Sequence, residues 1–326
     1  MKYEFQMENN MKNILVLGAA GQIGSELVPF LRSTYGANNV VASDVHRNCG
    51  PEVTEGGPFV TCNAMDGAKL NEIVEKYKID TIYNLVAMLS AKAEADPKFG
   101  WDLNMGVLFN CLEIAREKSV AVFTPSSIGA FGPETPLDNT PQDTIMRPKT
   151  IYGVSKVAGE LLADYYVKRF GIDARGVRYP GIISYVTLPG GGTTDYAVEI
   201  YYEAIKKKTY SSNLKAGTFL DMMYMPDAIK AAVDVMEADP AKLIHRNCFN
   251  VASMSFDPEI IAKEIKKHIP DFTLTYDVNP MKQAIAESWP NSMDDTAARE
   301  EWGWNPTYNL ETMTVDMLEK LREKLK

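Results

Sequence analysis

The chain contains few of the side chains on which metal and disulfide chemistry depend. It has three histidines and four cysteines among 326 residues, and the cysteines are widely separated. Their spacing matches neither a metal-ligand motif nor the disulfide framework of a small secreted domain. A histidine-based zinc site and a serine–histidine–aspartate triad are therefore disfavoured, no metal is expected, and the free thiols are typical of a reducing cytosol.

Long apolar runs and clustered positive charge are also missing. No segment approaches the roughly 20 consecutive apolar residues of a membrane span. The net charge is −9 and the longest basic run is Lys206–Lys208, whereas binding to nucleic-acid phosphates requires clustered lysine and arginine. Met1–Asn10 lack the apolar centre of a signal peptide and the arginines of a transit peptide. We expect a cytoplasmic protein without nucleic-acid or membrane partners, in which residues 1–10 are a short extension or an expression remnant.

What the chain does contain is a regular alternation of short apolar segments and amphipathic segments. Strands are predicted at residues 14–17, 40–43, 59–61, 81–87, 120–126 and 174–180, and helices at 22–33, 68–76, 101–118, 151–170, 196–207 and 309–324. This alternation predicts an α/β fold with a doubly wound parallel sheet of the Rossmann type. The Pro180–Gly192 stretch breaks it. Residues 1–180 are therefore predicted to form the sheet domain, and residues 181–326 mainly a smaller C-terminal substrate lobe with segments returning to the sheet.

A glycine turn follows the first strand. Gly18, Gly21 and Gly24 permit a tight turn, close approach of a pyrophosphate to the backbone, and close packing of the next helix. Anions are stabilised at the start of that helix. Asp44 ends the second strand and can accept hydrogen bonds from an adenosine ribose while repelling a 2′-phosphate. This pattern predicts NAD, although the nearby Arg47 tempers the exclusion of NADP.

A second motif predicts proton transfer. Tyr152 and Lys156 are four residues apart, so on a helix they share one face. A hydride leaves a carbinol carbon only as the hydroxyl proton is removed, and a tyrosine can accept that proton when an ammonium stabilises its phenolate. Ser127, at the end of the fifth strand, can hydrogen-bond the substrate oxygen. Tyrosine and lysine at this spacing are common on ordinary helices, but behind a nucleotide turn they indicate a redox enzyme.

Asn104 is open to two interpretations. We expect it at the start of the helix before the fifth strand, where it either caps that helix or holds a water or a backbone carbonyl beneath the active site.

These motifs, together with Arg178–Ile182 (Arg-Tyr-Pro-Gly-Ile), resemble the extended short-chain dehydrogenase/reductase superfamily. Three longer stretches, Ile82–Ser90, Leu188–Ile200 and Ser288–Trp304, resemble more narrowly its short L-threonine 3-dehydrogenases. The resemblance covers the chain from about Met11 to the C-terminus.

The resemblance implies a set of contacts and an assembly. It places NAD against Gly18, Gly21, Gln22, Ile23, Gly24, Asp44, Asn63, Ala64, Leu85, Val86, Ala87, Tyr152, Lys156, Tyr179, Pro180 and Ile182. It places substrate, L-threonine, against Ser90, Ser127, Tyr152, Thr193 and Thr194, with Ser127, Tyr152 and Lys156 as the catalytic set. It also implies a homodimer formed through the helices at 101–118 and 151–170.

Three functions compete at this point. The first is NAD-dependent oxidation of L-threonine to 2-amino-3-ketobutyrate. The second is a nucleotide-sugar epimerase or dehydratase, which is disfavoured because residues 182–220 offer a diphosphate only Lys206–Lys208 and Lys215. The third is a non-enzymatic NAD sensor, which the intact serine, tyrosine and lysine disfavour.

Several pocket roles stay undecided from the sequence. Arg178 is either a partner for the substrate carboxylate or structural, and Asp195 is a candidate for the ammonium. Trp289 either walls the pocket, with Met88 and Leu89, or belongs to the core. The backbone of residues 190–192 is a candidate for the carboxylate, and residues 189–192 for a hinge or lid.

Overall fold

A computed structural model describes residues 11–188, 190 and 192–326. Its strands are β1 (Ile14–Leu17), β2 (Val40–Asp44), β3 (Phe59–Thr61), β4 (Thr81–Asn84), β5 (Ala121–Phe123), β6 (Ser126–Ser127), β7 (Ala174–Arg175), β8 (Val177–Tyr179), β9 (Gly181–Ile183), β10 (Thr209–Ser212), β11 (Leu220–Tyr224), β12 (Phe249–Asn250), β13 (Met254–Phe256) and β14 (Thr273–Tyr276).

The helices follow the same chain order. They are α1 (Gly24–Tyr35), α2 (Pro51–Thr54), α3 (Gly67–Tyr77), α4 (Ser90–Ala95), α5 (Pro97–Lys118), α6 (Ile151–Phe170), α7 (Tyr196–Lys207), α8 (Met225–Glu237), α9 (Pro258–Lys266), α10 (Pro280–Ala286), α11 (Thr296–Trp302) and α12 (Leu310–Lys324). Short 3-10 turns lie at Ala37–Asn39, Ile128–Ala130 and Thr193–Asp195.

The centre of the fold is a six-stranded sheet in the order β3-β2-β1-β4-β5-β7, in which every neighbouring pair is parallel. All four residues of β1 are buried, because helices cover both faces of the sheet. The predicted α/β fold with a doubly wound Rossmann sheet is confirmed. The strand order reverses between β1 and β4, and in such sheets ligands bind at the carboxyl ends of the strands where this reversal occurs.

Two predicted strands are each broken in two. The segment predicted at 120–126 forms β5 and β6, because Pro125 has no N–H to continue the ladder. The segment predicted at 174–180 forms β7 and β8, because Gly176 bonds through its N–H and carbonyl to Arg246 and Phe249 instead. Beyond these breaks β6 and β8 pair in a separate sheet with β12.

The C-terminal part adds small sheets and its own apolar cluster. Strands β9, β11 and β13 form one sheet, and β10 pairs with β14. Buried aromatic residues such as Tyr196, Tyr201 and Phe256 pack in the C-terminal cluster, whereas α8 packs in the cluster beside β1 and β4. The division at residues 180 and 181, with segments that return to the sheet, stays a prediction.

The helix that contains Asn104 begins earlier than predicted. Asp96 caps α5 by accepting a hydrogen bond from the N–H of Phe99 at 3.1 Å, and Pro97 occupies the first turn. Asn104 therefore lies about two turns inside α5. Within the described ranges, no helix combines the length and apolar composition that crossing a bilayer requires.

Candidate active site

One cleft runs along the carboxyl ends of the central strands. Its two ends share Gly18, Gly21, Leu85 and Ala87. The structure brings every predicted cofactor and substrate residue to this cleft: Asp44, Asn63, Ala64 and Val86 line one end, and Gln22, Ile23, Gly24, Ser90, Ser127, Tyr152, Lys156, Tyr179, Pro180, Ile182, Thr193 and Thr194 line the other. Their individual roles stay predictions.

The glycine turn has the geometry expected for a diphosphate. Gly18 has φ 77°, a left-handed conformation that favours glycine. A Cβ on Gly24 would overlap the carbonyl oxygen of Gly18, so this glycine lets α1 pack directly against the turn. The turn is closed by a hydrogen bond from the Gly21 N–H to the Gly18 carbonyl at 3.0 Å. The start of α1 thus faces the cleft and fits the diphosphate of a dinucleotide.

The carboxylate of Asp44 is held at the far end of the cleft. It accepts hydrogen bonds from the N–H of Ala20 at 3.0 Å and of His46 at 3.3 Å. Arg47 is turned elsewhere, because its guanidinium donates to the Thr54 carbonyl at 3.3 Å and lies 4.9 Å from the centre of the Phe59 ring. An anionic side chain without a free arginine beside it suits a ribose diol better than a 2′-phosphate.

Apolar side chains that no motif indicated complete this end of the cleft. They are Val45, Cys62, Met65, Phe99 and Leu103. The sequence gives little signal for them, because Phe99 and Leu103 belong to α5 and reach the cleft only through the fold.

Tyr152 and Lys156 lie one turn apart at the start of α6. Thr150 caps this helix by accepting the N–H of Gly153 at 3.1 Å. Tyr152 is buried, and the Lys156 ammonium lies 5.5 Å from the centre of its ring. The same ammonium donates to the carbonyl of Pro125 at 2.7 Å. The break after β5 therefore fixes the cation beside the phenol.

Ser127 and Tyr152 converge on Gly129, which sequence reasoning missed. The Ser127 hydroxyl oxygen accepts the N–H of Gly129 at 3.1 Å, so its own proton is available for another acceptor. A Cβ on Gly129 would lie 3.1 Å from the Tyr152 ring and 3.5 Å from the Ser127 hydroxyl. Glycine at this position leaves the two side chains room to approach the same point.

Asn104 is not a helix cap. Its side-chain oxygen accepts the N–H of Met88 at 2.8 Å, and its amide donates to the Met88 carbonyl at 3.3 Å and to the Ser155 hydroxyl at 3.0 Å. Ser155 in turn donates to the carbonyl of Tyr152 at 2.7 Å. The interpretation in which Asn104 holds backbone beneath the site is confirmed, and it joins the segment before Ser90 to the helix of Tyr152.

Arg178 is structural and is not placed to bind a substrate carboxylate. It is buried and pairs with Glu160 at 2.8 Å, and it also donates to the carbonyl of Gln142 at 2.7 Å and to Asn250 at 3.0 Å. Ser126 donates to the same glutamate. The guanidinium is thus used in joining α6, β8 and β12 behind the site.

Another part of the cleft lining comes from distant parts of the chain. Leu89, Asp195 and Trp289 line it, and Trp289 is also buried, so it belongs both to the pocket and to the core. Met88 makes its described contacts through its backbone rather than as part of this lining. Asp195 accepts the N–H of Gly192 at 2.5 Å.

Part of the predicted glycine-rich segment lines the cleft. Gly190 and Gly192 line the cleft, but Met1–Asn10, Pro189 and Gly191 lie outside the described residues. In the described part of the chain, no group of three or more histidine, cysteine, aspartate or glutamate side chains is arranged to hold a metal ion.

Comparison with known proteins gives consistent matches over nearly the whole chain. Residues 14–252 match the model of the NAD dependent epimerase/dehydratase family. An uncharacterized epimerase/dehydratase of Staphylococcus saprophyticus is 52% identical, with 97% of this chain and 99% of the relative covered.

Two solved structures extend this likeness. The L-threonine dehydrogenase of Clostridium difficile has 57% identity and a TM-score of 0.95, with 97% of this chain and 99% of that one covered. A monomeric L-threonine 3-dehydrogenase from a metagenome database has 42% identity and a TM-score of 0.91, with 96% and 100% covered. With the glycine turn and Asp44 in place, the cofactor is NAD. The chain belongs to the NAD dependent epimerase/dehydratase family, within the extended short-chain dehydrogenase/reductases, as its sequence motifs predicted.

Proposed function

We propose that this enzyme oxidises L-threonine at its β-hydroxyl and forms 2-amino-3-ketobutyrate. The observation that carries the proposal is the convergence of Ser127, Tyr152 and Lys156 at the point where the NAD cleft meets a small pocket lined by hydroxyl groups. The likeness to L-threonine dehydrogenases of known structure supports the same substrate.

The cofactor end of the cleft has a simple division of labour. The turn at Gly18–Gly24 would hold the diphosphate, Asp44 the adenosine ribose, and Lys156 the nicotinamide ribose. NAD supplies the hydride acceptor when it is bound.

The chain's own residues manage the proton. The Tyr152 phenolate takes the proton of the threonine hydroxyl, and the Lys156 ammonium stabilises that phenolate. Ser127, whose oxygen is already occupied by the Gly129 N–H, donates its proton to the substrate oxygen and orients it. The C–H and O–H bonds of the carbinol break and a carbonyl forms, so the substrate loses one hydride and one proton.

Neutral hydroxyls would hold the carboxylate of the substrate, and one acidic side chain would hold its ammonium. Lys156 and Asp195 are the charged residues among the described ones that line this end of the cleft. We therefore assign the carboxylate to the hydroxyls of Ser90, Thr193 and Thr194, and the ammonium to Asp195. The methyl group of threonine would face Leu89 and Trp289.

The alternative hypothesis is that the enzyme converts a nucleotide sugar. The pocket favours threonine, because a sugar diphosphate usually requires several cations and Lys156 is the only described lysine or arginine in this lining.

A steady-state assay with NAD and three substrates separates the two functions. We expect NADH to form with L-threonine, more slowly with L-serine, and not with UDP-galactose. Threonine yields a ketone rather than a less stable aldehyde, and its methyl group is worth ~1–3 kcal/mol of discrimination in an apolar pocket. No NADH from threonine together with epimerised UDP-galactose would overturn the proposal in favour of the epimerase.

We also propose a homodimer formed through the outer face of α5 and α6. Exposed apolar side chains cluster on these helices, with Phe109 43%, Val154 41%, Leu161 62% and Tyr165 54% exposed. Such a face is commonly an interaction surface. Sedimentation over a range of concentrations tests the assembly, and a monomer at all of them would contradict it.

A further inference from the structure

A short segment crosses from the cofactor region to the substrate region, and we call it the strap. It comprises residues 184–188, which directly follow β9. Ser184 is fully buried, whereas Leu188 is 64% exposed. Five residues beyond the strap begins the 3-10 turn Thr193–Asp195 that lines the cleft. This turn also packs against α7 and α10, so the strap is one of several elements that bear on its position.

Helix α1 holds the strap on the cofactor side. The Ser184 hydroxyl donates to Glu26, and the hydroxyls of Ser25 and Thr187 are 2.9 Å apart. Ser25 immediately follows Gly24 of the glycine turn and also donates to the Gln22 carbonyl at 3.0 Å. The strap is thus fastened to the helix end that faces the diphosphate.

Helix α12 holds the strap on the other side through one lysine. The Lys324 ammonium donates to the carbonyls of Tyr185 at 2.8 Å and Val186 at 2.7 Å, and to the Tyr202 hydroxyl at 3.2 Å. These three acceptors match the three hydrogens of an ammonium group. Tyr202, which belongs to α7, also donates to the Tyr185 carbonyl at 3.1 Å.

The arrangement explains how backbone outside a sheet is stabilised here. Strand β9 ends at Ile183, so the carbonyls of Tyr185 and Val186 have no ladder to join. Backbone acceptors need partners, and a single cation provides one for both. Lys324 lies far from the catalytic residues in sequence and touches none of the described cleft residues through these bonds.

We propose that Lys324 and Ser25 are positioning residues, which hold the strap so that Thr193 and Thr194 meet the substrate when NAD occupies the glycine turn. The proposal rests on the proposed function for its kinetic consequence. Its structural consequence is independent of the substrate, because the strap contacts the cofactor helix directly.

The kinetic test compares Lys324→Met with two control variants, Lys324→Arg and Lys326→Met. Lys324→Met should raise the KM for threonine about tenfold by removing charged hydrogen bonds, with kcat and NAD affinity nearly unchanged and thermal stability lowered only slightly. Lys324→Arg should recover most of the loss. Lys326→Met, which changes another exposed lysine at the same chain end, should behave as wild type. If Lys324→Met instead raised the KM and also lowered kcat, NAD affinity and thermal stability to a similar extent, the lysine would have a general structural role and the proposal would be overturned.

Hydrogen exchange of the strap amides provides the second test, and it requires only NAD. In the wild type, NAD should slow exchange in residues 184–188. In Ser25→Ala, NAD should still bind but protect the strap less, and in Lys324→Met the strap should exchange fast in both states. If NAD protected the strap amides equally in all three proteins, the positioning role of Ser25 and Lys324 would be refuted. If threonine proves not to be a substrate, this result still decides the strap separately from the proposed function.

Discussion

The two ends of the active-site cleft are built in different ways. The proposed catalytic end stands on the small sheet of β6, β8 and β12 and on the adjacent helix: Ser127 lies on β6, and Tyr152 and Lys156 lie on the first turns of α6. The proposed substrate end is assembled from segments far apart in the chain, with Ser90 at the start of α4, Thr193 in the 3-10 turn before α7, and Trp289 after α10.

This difference in construction predicts how strongly each end of the cleft depends on single residues. Groups on a sheet edge keep their mutual geometry because the ladder and packed helices fix them, whereas a wall assembled from separate segments depends on how each of those segments packs. Chemistry is therefore expected to depend on single residues at the catalytic end. Affinity for the substrate is expected to be spread over several small contributions at the other end.

The largest effect should come from Tyr152→Phe. It removes the proton-accepting oxygen and keeps the ring, so turnover should fall by ~10²–10⁴-fold. Binding of NAD, measured by titration calorimetry, should stay close to the wild type. Near-normal kcat in the purified variant would remove this tyrosine from the mechanism and erase the contrast between the two ends.

Asp44→Ala should act next most strongly, and on affinity alone. Hydrogen bonds to a charged group contribute about 1.5–3 kcal/mol, so NAD binding should weaken by about 10- to 100-fold while kcat changes little. The preference for NAD over NADP should narrow. A wild-type enzyme that already uses both cofactors equally would show that the carboxylate does not select the ribose.

The sequence predicted the local features of the site better than the features that depend on distant parts of the chain. The glycine turn and the tyrosine–lysine pair are local patterns, so their places were predictable. The breaks at Pro125 and Gly176 were missed because each depends on pairing with a distant strand.

Residues whose roles depend on long-range contacts were the least predictable. Arg178 was undecided until its pairing with Glu160 was seen, and Asn104 until its bonds to Met88 and Ser155 were seen. No sequence motif indicated Lys324, because its hydrogen-bond partners lie about 120 to 140 residues earlier in the chain.

At the substrate end, Thr193→Ala and Ser90→Ala should each have a modest effect. A neutral hydrogen bond contributes roughly 0.5–1.5 kcal/mol net, which corresponds to a KM for threonine raised about threefold to tenfold. NAD affinity serves as the control and should be nearly unchanged. A matching loss of NAD affinity would place these residues in the fold or at the cofactor instead.

A different kind of effect, on stability rather than on catalysis, concerns Glu26, which joins α1 to the strap through Ser184. Burial raises the pKa of Glu26 from its ordinary 4.5 to about 7, against the opposing influence of Ser184 and Lys324. With a folded-state pKa above the unfolded one, its contribution to stability is complete below pH 4.5 and is lost as pH rises through 7.

Comparison of the wild type with Glu26→Gln isolates this group. The free energy of unfolding of the wild type should decline relative to the variant by about 2 kcal/mol between pH 5 and pH 8. Denaturant titrations at several pH values measure this difference. If the stability of the wild type relative to Glu26→Gln stayed constant or increased with pH, the carboxyl would be ionised in the folded protein over the whole range from pH 5 to pH 8.

The central claim is that hydride leaves the β-carbon of threonine for NAD beside Tyr152. Incubation with L-threonine deuterated at that carbon tests it directly, with mass spectrometry of the reduced cofactor. We predict that the label appears in the NADH that forms and that turnover is slower than with unlabelled threonine. Reduced cofactor without deuterium, or no reduced cofactor at all, would contradict the account.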